Sequence, residues 1–225
     1  MQIAIDGPAG AGKSSVAKEV ACRMNLKCLD TGAMYRAITY KALKENIDIN
    51  DGKKLSELVR KCNMEIDYHK ERGTLIILDG EDVTEKIRSP EVNHHVSLVA
   101  KIPELRKELV LLQKKVAEKS GGIVMEGRDI GTNVLTGADF KFFLYADIKE
   151  RAKRRWLEMK AKENNVLLDE ILEEIAMRDR IDQEREESPL RIAPGAHVID
   201  TTPYSLAEVV ELVLEYIRNG QKTKN

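Results

Sequence analysis

The residues best suited to chemistry lie near the N-terminus, in a glycine-rich segment that ends in lysine and serine. Residues 7–14 read GPAGAGKS and match in full the spacing G-x-x-x-x-G-K-[ST] of a phosphate-binding loop. The apolar run 2–5 predicts a buried strand before the loop, and apolar residues at helical spacing over 15–24 predict a helix after it. Because backbone N–H groups and the helix dipole both point at bound phosphates in such a loop, we predict that it binds a nucleoside triphosphate.

Two side chains of this phosphate loop have specific predicted roles. Lys13 should reach the β- and γ-phosphates, and the hydroxyl of Ser14 should ligate Mg²⁺. We predict that Mg²⁺ is the cofactor and that it bridges the same two phosphates while keeping several waters. The predicted triphosphate-binding residues of this segment are Gly7, Pro8, Ala9, Gly10, Ala11, Gly12, Lys13, Ser14 and Ser15.

A second candidate segment follows the next apolar run and opens a predicted helix. The hydroxyl of Thr31, the phenol of Tyr35 and the guanidinium of Arg36 would project near that helix start. Together they could hold a second phosphate group that faces the phosphate loop. An N-cap followed by a surface arginine explains these residues equally well when the segment is taken alone.

A third candidate segment comes directly after the apolar run 123–125. Open α/β sheets bind ligands at the carboxyl ends of their parallel strands, which is where Arg128 and Asp129 would lie. Arg128 can bind a phosphate with two hydrogen bonds, and Asp129 can accept hydrogen bonds from a base or a sugar. The alternative is a glycine-rich turn in which these two residues simply pair with each other.

The fourth candidate segment is rich in arginine. Arg178, Asp182 and Arg185 share one face of a predicted helix. Phosphoryl transfer needs cations around the moving group and the exclusion of water, and a mobile arginine-bearing segment supplies both. A solvated helix with Arg–Asp pairs four residues apart is the alternative, and the phosphate loop elsewhere in the chain is what favours the first interpretation.

The elements that must position these residues follow from the hydrophobic pattern. Apolar runs separated by helical patterns predict a parallel sheet covered by helices on both faces, an α/β fold of the three-layer phosphate-loop type. The five predicted strands are 2–5, 27–29, 122–125, 140–145 and 196–199. Three apolar stripes at helical spacing are predicted to face the core: Leu105, Leu109, Leu112 and Val116; Leu168, Ile171, Leu172 and Ile175; and Leu206, Val209, Val210, Val213 and Ile217.

One region departs from the alternation of strands and helices. The apolar runs 64–68 and 74–78 flank a polar turn and predict an antiparallel hairpin, with a possible third short strand near 81–83. We predict that 40–105 forms an inserted subdomain with a small antiparallel sheet. The core domain then comprises 1–39 and 106–225, with a lid at about 157–185.

The composition limits the function further. The chain has 225 residues, of which 42% are hydrophobic and 33% charged, and a net charge of −1. We therefore expect a globular protein that binds neither nucleic acid nor membrane, because it has no basic field, few aromatic residues and no long apolar run. Three cysteines without paired spacing and the lack of a visible secretion signal indicate a cytoplasmic location, and nothing requires more than a monomer.

Four segments together give the chain a recognisable resemblance. The segments 5–14, 30–36, 127–132 and 178–180 read IDGPAGAGKS, DTGAMYR, GRDIGT and RDR. In order and spacing they resemble bacterial-type cytidylate kinase, a family of nucleoside monophosphate kinases, over nearly the whole chain. The hairpin insertion also matches the enlarged monophosphate-binding region of that family.

The resemblance implies an activity and a set of site residues. It implies Mg²⁺-dependent transfer of the γ-phosphoryl group of ATP to CMP or dCMP, in pyrimidine nucleotide metabolism, by a five-stranded parallel sheet domain with a hinged monophosphate-binding domain. By similarity, the CMP phosphate would be held by Thr31, Tyr35, Arg36 and Arg128, the cytosine by Ser97, Arg106 and Asp129, and the ribose hydroxyl by Asp182. Arg178 and Arg185 would lie near the phosphates or sugar, and Arg154 and Arg155 beside ATP. The predicted catalytic residues are Lys13, Arg128, Arg178 and Arg185.

The chain also departs from the family pattern, and other functions compete with a kinase. Thr31 stands where serine is frequent, and Ile181 stands where a further lid arginine can occur, which leaves Arg180 as a possible substitute. A nucleotide-dependent switch would need no second phosphate site, so the arginine-rich segments argue against it. A kinase for another small acceptor is the second alternative, and the hairpin and Asp129 argue against that.

Overall fold

The computed structural model describes residues 1–69, 73–160 and 166–222. Its main sheet has five parallel strands in the order β2-β6-β1-β7-β8. The strands are β1 (Gln2–Asp6), β2 (Lys27–Asp30), β6 (Ile123–Gly127), β7 (Phe140–Tyr145) and β8 (His197–Asp200). All five strands predicted from apolar runs are therefore confirmed, and β1, which leads into the phosphate loop, is central.

Eight α-helices connect and cover the strands within the described residues. They are α1 (Lys13–Met24), α2 (Thr31–Lys44), α3 (Gly52–Lys61), α4 (Pro90–Ala100), α5 (Pro103–Lys119), α6 (Ile148–Lys160), α7 (Leu168–Glu184) and α8 (Leu206–Lys222). Several begin at side-chain caps that the sequence encodes locally. Asp30 accepts a hydrogen bond from the backbone N–H of Ala33, and Ser89 caps α4 just before Pro90.

The core lies on both faces of the main sheet. Alternate residues of β1 point to opposite faces, so Ile3 and Ile5 pack with α1 and α8, whereas Ala4 packs with α2 and α5. The predicted helical stripes form much of this core, but two of their members are wrong. Leu168 and Leu206 are 42% and 49% exposed, because each is the first residue of its helix and lies beyond the contact with the neighbouring element.

The predicted insertion contains the predicted hairpin and its third strand. Strands β3 (Met64–His69), β4 (Gly73–Leu78) and β5 (Glu81–Asp82) form a separate antiparallel sheet. The hydroxyl of Thr74 joins it to the main sheet, since it accepts from the N–H of Asp30 at 3.0 Å and donates to the carbonyl of Cys28 at 3.3 Å. The insertion therefore rests against the edge strand β2. Among the described residues, no helix is both long and apolar enough to cross a membrane.

Candidate active site

A cavity of about 750 Å³ opens at the carboxyl ends of β1, β2 and β6. It brings together residues from all four candidate segments, from Ala9 to Arg185. The predicted site residues that line it are Ala9, Gly10, Ala11, Gly12, Lys13, Ser14, Ser15, Thr31, Tyr35, Arg36, Ser97, Arg106, Arg128, Asp129, Arg154, Arg155, Arg178, Asp182 and Arg185. Gly7 and Pro8 are not part of the wall, so the prediction that they contact the triphosphate finds no support in this geometry.

Gly7 and Pro8 instead shape the loop from behind. A Cβ atom on Gly7 would lie 1.9 Å from the carbonyl oxygen of Leu144, so only glycine fits against β7 at this position. The carbonyl of Pro8 accepts a hydrogen bond from Lys13 Nζ at 2.8 Å. Lys13 is buried, and burial followed by the nearby Arg128 lowers the pKa of its ammonium group. The loop thus holds a desolvated lysine beside its own backbone.

Ser14 lies beside a buried carboxyl group. Its hydroxyl donates a hydrogen bond of 2.5 Å to Glu126 Oε1, and burial followed by the neighbouring Asp30 raises the pKa of Glu126. A hydroxyl and a carboxyl oxygen are hard donors of the kind that Mg²⁺ takes, one or two from the protein and the rest from phosphates and water. The residues at this point of the cavity therefore fit a magnesium ion that arrives with a nucleotide.

The turn after β6 is held in place by a buried carboxylate that the sequence analysis did not single out. Asp6, at the end of β1, accepts hydrogen bonds from the N–H groups of Ile130 at 2.8 Å and Gly131 at 2.7 Å. Burial raises the pKa of Asp6 to about 6. Because this turn carries Arg128 and Asp129, Asp6 fixes where both of them project. The sequence feature that could have identified Asp6 is its position immediately before the phosphate loop.

Arginines cluster on the wall that faces the phosphate loop. Arg128 Nε pairs with Asp182 at 2.7 Å, and Arg36 Nε reaches Asn93 at 3.4 Å. Burial, together with Arg36 and Arg128, lowers the pKa of Arg178 to about 10, and its buried Nε has no acceptor among the described residues. Buried cations that repel one another, one of them with an unused donor, form a site for an anion.

Asp129 lies deeper in the cavity between two arginines. Its Oδ2 accepts from Arg106 at 2.7 Å and from the amide of Asn133 at 3.2 Å, whereas Oδ1 accepts one long bond, 3.5 Å, from Arg185. A carboxylate has room for about four such bonds, so Oδ1 can accept a further donor. The guanidinium of Arg106 also lies over the ring of Tyr35, 5.3 Å from its centroid, and burial raises the pKa of Tyr35 to about 12.

The remaining predicted residues differ in how they are held. The hydroxyl of Thr31 donates to the carbonyl of Glu126 at 2.8 Å, so its oxygen lone pairs rather than its proton face any ligand. Arg154 bonds Glu150 at 3.0 Å and the carbonyl of Thr201 at 2.6 Å, which fixes it at the cavity wall. The suggestion that Arg180 replaces the missing lid arginine finds no support in this geometry, because its side chain is exposed and is not among the residues that line the cavity.

Two further charged residues contact the phosphate loop from outside the cavity. Asp179 and Arg151 both bond to the backbone of Ala9, and they pair with each other at 2.6 Å. Neither Arg151 nor Asp179 was assigned a role from the sequence. The sequence pattern that could have pointed to Asp179 is the alternation of charge in residues 178–180, but this pattern does not indicate a contact 170 residues away.

The fold and this cavity define the class of the protein. A central strand that leads into a phosphate loop, with a second cationic wall opposite, makes it a phosphotransferase of the phosphate-loop kinase class. A family model described as Cytidylate kinase matches residues 3–219, and the chain belongs to that family.

Individual relatives agree with this assignment. The chain is 51% identical over 222 residues to a cytidylate kinase of Caldanaerobacter subterraneus, covering 99% of this chain and 96% of the relative. It is 50% identical over 222 residues to a cytidylate kinase of Bacillus subtilis, covering 99% and 98%. Among solved structures, an uncharacterized protein from Eubacterium ventriosum superposes with a TM-score of 0.53 at 15% identity, covering 97% and 98%, which shows a shared fold alone.

Proposed function

We propose that this protein transfers the γ-phosphoryl group of ATP to CMP or dCMP, giving ADP and CDP or dCDP. The reaction is Mg²⁺-dependent and serves pyrimidine nucleotide metabolism in the cytoplasm, with the protein acting as a monomer. Membership of the cytidylate kinase family supports the reaction class. The observation that carries the substrate assignment is one cavity with the phosphate loop on one wall and, opposite it, a cationic cluster next to the Asp129–Arg106 pair.

The donor binds at the phosphate loop. The N–H groups of the first turn of α1 have no intrahelical acceptors and are available to the β-phosphate. Lys13 is within the same loop. Its desolvated ammonium group is bound more strongly by an anionic phosphate than by the carbonyl of Pro8, which is its partner in this structure. Ser14 would hold Mg²⁺, with Glu126 ordering water around it, and the ion would supply charge neutralisation between the β- and γ-phosphates.

The acceptor phosphate binds among Arg36, Arg128 and Arg178. These guanidinium groups are already desolvated and repel one another, so a phosphate dianion relieves the repulsion and completes their hydrogen bonds. Arg128 stays oriented because Asp182 holds its Nε, while its Nη1 makes only one long hydrogen bond, 3.5 Å, to the carbonyl of Gly127. The acceptor phosphate is thereby aligned with the γ-phosphate.

The base is selected at Asp129. Its Oδ1 accepts a hydrogen bond from the exocyclic amine of cytosine, whereas uracil would present a carbonyl oxygen to the carboxylate and be repelled. Arg106 and Arg185 pair with Asp129 and fix the orientation of its carboxylate toward the base. Ser97 lines the same end of the cavity, on α4.

Phosphoryl transfer in this arrangement requires no side chain that removes a proton. An unprotonated oxygen of the acceptor phosphate attacks the γ-phosphorus, a new P–O bond forms, and the bond to the β–γ bridging oxygen breaks to release ADP. Lys13, Arg128 and Arg178 neutralise the charge on the transferred group, and Arg185, directly after the helix that carries Arg178, positions the acceptor. Orientation and charge neutralisation therefore account for the rate enhancement.

The test is a coupled assay of ADP release with ATP and Mg²⁺, in which CMP, dCMP, UMP, AMP and GMP are offered separately. We expect strong activity on CMP and dCMP and weak activity on UMP. Activity centred on another monophosphate would retain the kinase and overturn the base assignment. Absence of acceptor-dependent ADP release from folded protein would overturn the proposed reaction.

A further inference from the structure

The backbone of Ala9, within the phosphate loop, is held from both sides by buried charged side chains. Its N–H donates to Asp179 Oδ1 at 3.2 Å, and its carbonyl accepts from Arg151 Nη1 at 2.8 Å. The two side chains pair with each other at 2.6 Å and are 7% and 13% exposed for Arg151 and Asp179, respectively. Hydrogen bonds that involve a charged group are among the strongest in proteins, so this contact fixes the loop conformation at Ala9.

The two side chains come from the helices on either side of the predicted lid connection. Arg151 lies on α6, and its Nε also donates to the carbonyl of Ala146 at 2.9 Å, so it is anchored in the core domain. Asp179 lies on α7, which we call the lid helix. Residues 161–165 of the predicted lid, which join these helices, lie outside the described residues. The phosphate loop is therefore one of the places where the lid helix contacts the core.

The same turn of the lid helix carries the residues that face the cavity. Arg178 precedes Asp179 and borders the cavity, and Asp182 follows one turn later and pairs with Arg128. A displacement of the lid helix away from Ala9 would therefore also move Arg178 away from the phosphates. Conversely, a phosphate loop in another conformation would not offer the N–H of Ala9 to Asp179.

We propose that Asp179 and Arg151 are positioning residues that couple the phosphate loop to the lid helix. Because of this pair, two events occur together: the loop adopts its triphosphate-binding conformation, and Arg178 reaches the transferred phosphoryl group. Neither side chain touches the substrates; both act through the Ala9 backbone and through Arg178. This inference rests on the proposed function only where turnover is measured, because the coupling itself can be measured by nucleotide binding without any reaction.

A natural reporter of the lid helix is present in the chain. Trp156 is the sole tryptophan of the sequence and lies on α6, where its Nε1 donates to the carbonyl of Val166 at 3.2 Å. Its side chain packs beside Ile171 and Ile175 of the lid helix. The fluorescence of Trp156 should therefore change when the lid helix moves relative to α6.

The experiment compares Asp179→Ala, Arg151→Met and the double variant with the wild type. Binding of a non-hydrolysable ATP analogue is followed through Trp156, and kcat, both KM values and chemical unfolding are measured. Loss of one buried charge-assisted bond is worth about 10-fold or more, so we expect the analogue Kd and the KM for ATP to rise about 10-fold in Asp179→Ala. We expect kcat to fall by a similar factor, while the KM for CMP changes less than about threefold.

The double variant separates positioning from simple stabilisation. Asp179→Ala leaves Arg151 buried without its carboxylate and lowers stability, whereas removing both charges restores much of it. We expect stability to recover in the double variant while analogue affinity and kcat stay low. Asp179→Asn keeps an acceptor for Ala9 N–H and should give intermediate affinity, and it replaces Asp179→Ala if that variant does not fold.

Asp169→Ala, an exposed aspartate in the first turn of the lid helix, is the matched control and should behave as the wild type. If affinity and kcat per folded molecule are unchanged in Asp179→Ala, or recover with stability in the double variant, the pair is a structural ion pair only and the inference is wrong. A wild type that binds the analogue but does not phosphorylate CMP would overturn the proposed function alone, since the coupling would still appear in the analogue Kd.

Discussion

At the scale of single residues, Lys13 has a weak hydrogen-bond partner that a bound phosphate can replace. The ammonium group is buried beside cationic Arg128, and its hydrogen bond in this structure goes to the neutral carbonyl of Pro8. A phosphate is a stronger partner than a carbonyl, because the hydrogen bond is then charge-assisted on both sides. We therefore expect Lys13 to be needed for turnover and to contribute little to folding.

We predict that Lys13→Ala lowers kcat by at least about 100- to 1000-fold, the usual effect of removing a group that stabilises transition-state charge. The variant should unfold cooperatively with nearly the wild-type midpoint, because the removed charge is disfavoured by burial. Lys115→Ala, an exposed lysine on α5, is the control and should keep full activity. Loss of cooperative unfolding in Lys13→Ala would show that Lys13 is structural.

Selection of the base is tested at Asp129. In Asp129→Asn the side-chain amide can turn its NH₂ group toward the carbonyl of uracil, so we predict that the ratio of kcat/KM for CMP over UMP falls about 10-fold or more. The variant will be less stable, since Arg106 and Arg185 lose their shared carboxylate. A ratio measured on one preparation does not depend on the folded fraction, and an unchanged ratio would remove Asp129 from base selection.

How far the site could be predicted depends on whether its residues are contiguous. The phosphate loop is a local pattern, so its position and its strand and helix followed from the residues alone. Asp179 was missed because its partner is a backbone N–H 170 residues away, and a side chain bonded to backbone imposes no residue type on its partner. Arg106 and Ser97 came only from family resemblance, because their helical context is compatible with plain surface residues.

At the scale of elements, the turn after β6 depends on one carboxyl group from β1. Asp6 receives two backbone N–H bonds from this turn, and burial raises its pKa from 3.8 to about 6. An acid whose pKa is higher in the folded state binds protons more tightly when folded. The free energy of unfolding therefore falls as pH rises from about 4 to about 6, by up to about 3 kcal/mol from this group.

We predict that Asp6→Asn removes this pH dependence. The amide cannot ionise. It can accept only one of the two N–H bonds, so the substitution lowers the free energy of unfolding by about 1–2 kcal/mol at low pH. The measurement is urea unfolding at pH 4.5 and pH 7. The variant's deficit in free energy of unfolding relative to the wild type should shrink as pH rises. Asp139→Asn, an exposed aspartate bonded to the N–H of Gln2, is the control. An identical slope in wild type and Asp6→Asn would contradict the prediction.

The strands were predictable for a reason that does not apply to helix ends. Parallel strands are buried on both faces and read as continuous apolar runs, and each of the five runs became a strand. Helical stripes also identify a buried face, but they do not show where tertiary contact stops. Leu168 and Leu206 continue their stripes in sequence, yet they lie outside the packed part of their helices.

At the scale of the whole molecule, the cavity lies between elements from different parts of the chain. Lys13 and Arg128 belong to the main sheet and its loops, Ser97 to α4 of the insertion, and Arg178 to the lid helix. We expect substrates that bind all of these residues to draw the parts together and so to exclude water from the phosphates. The boundaries of the inserted subdomain at 40 and 105 stay a prediction.

We predict that binding both nucleotides makes the molecule more compact. The measurement is small-angle X-ray scattering with and without a bisubstrate analogue that joins cytidine and adenosine through a phosphate chain. The radius of gyration should decrease with the analogue, and less with either nucleotide alone. Identical scattering curves in all four conditions would show that the protein binds its substrates without closure.

The hydroxyl of Thr74 has a consequence for the behaviour of this protein at high concentration. Edge strands expose a row of unpaired backbone groups, to which another chain can add its own strand and so begin to aggregate. On β2 the outward carbonyl of Cys28 and the outward N–H of Asp30 are both bonded to Thr74, and the inserted hairpin covers this edge. The insertion that completes the binding cavity therefore also protects this edge of the sheet against intermolecular strand addition.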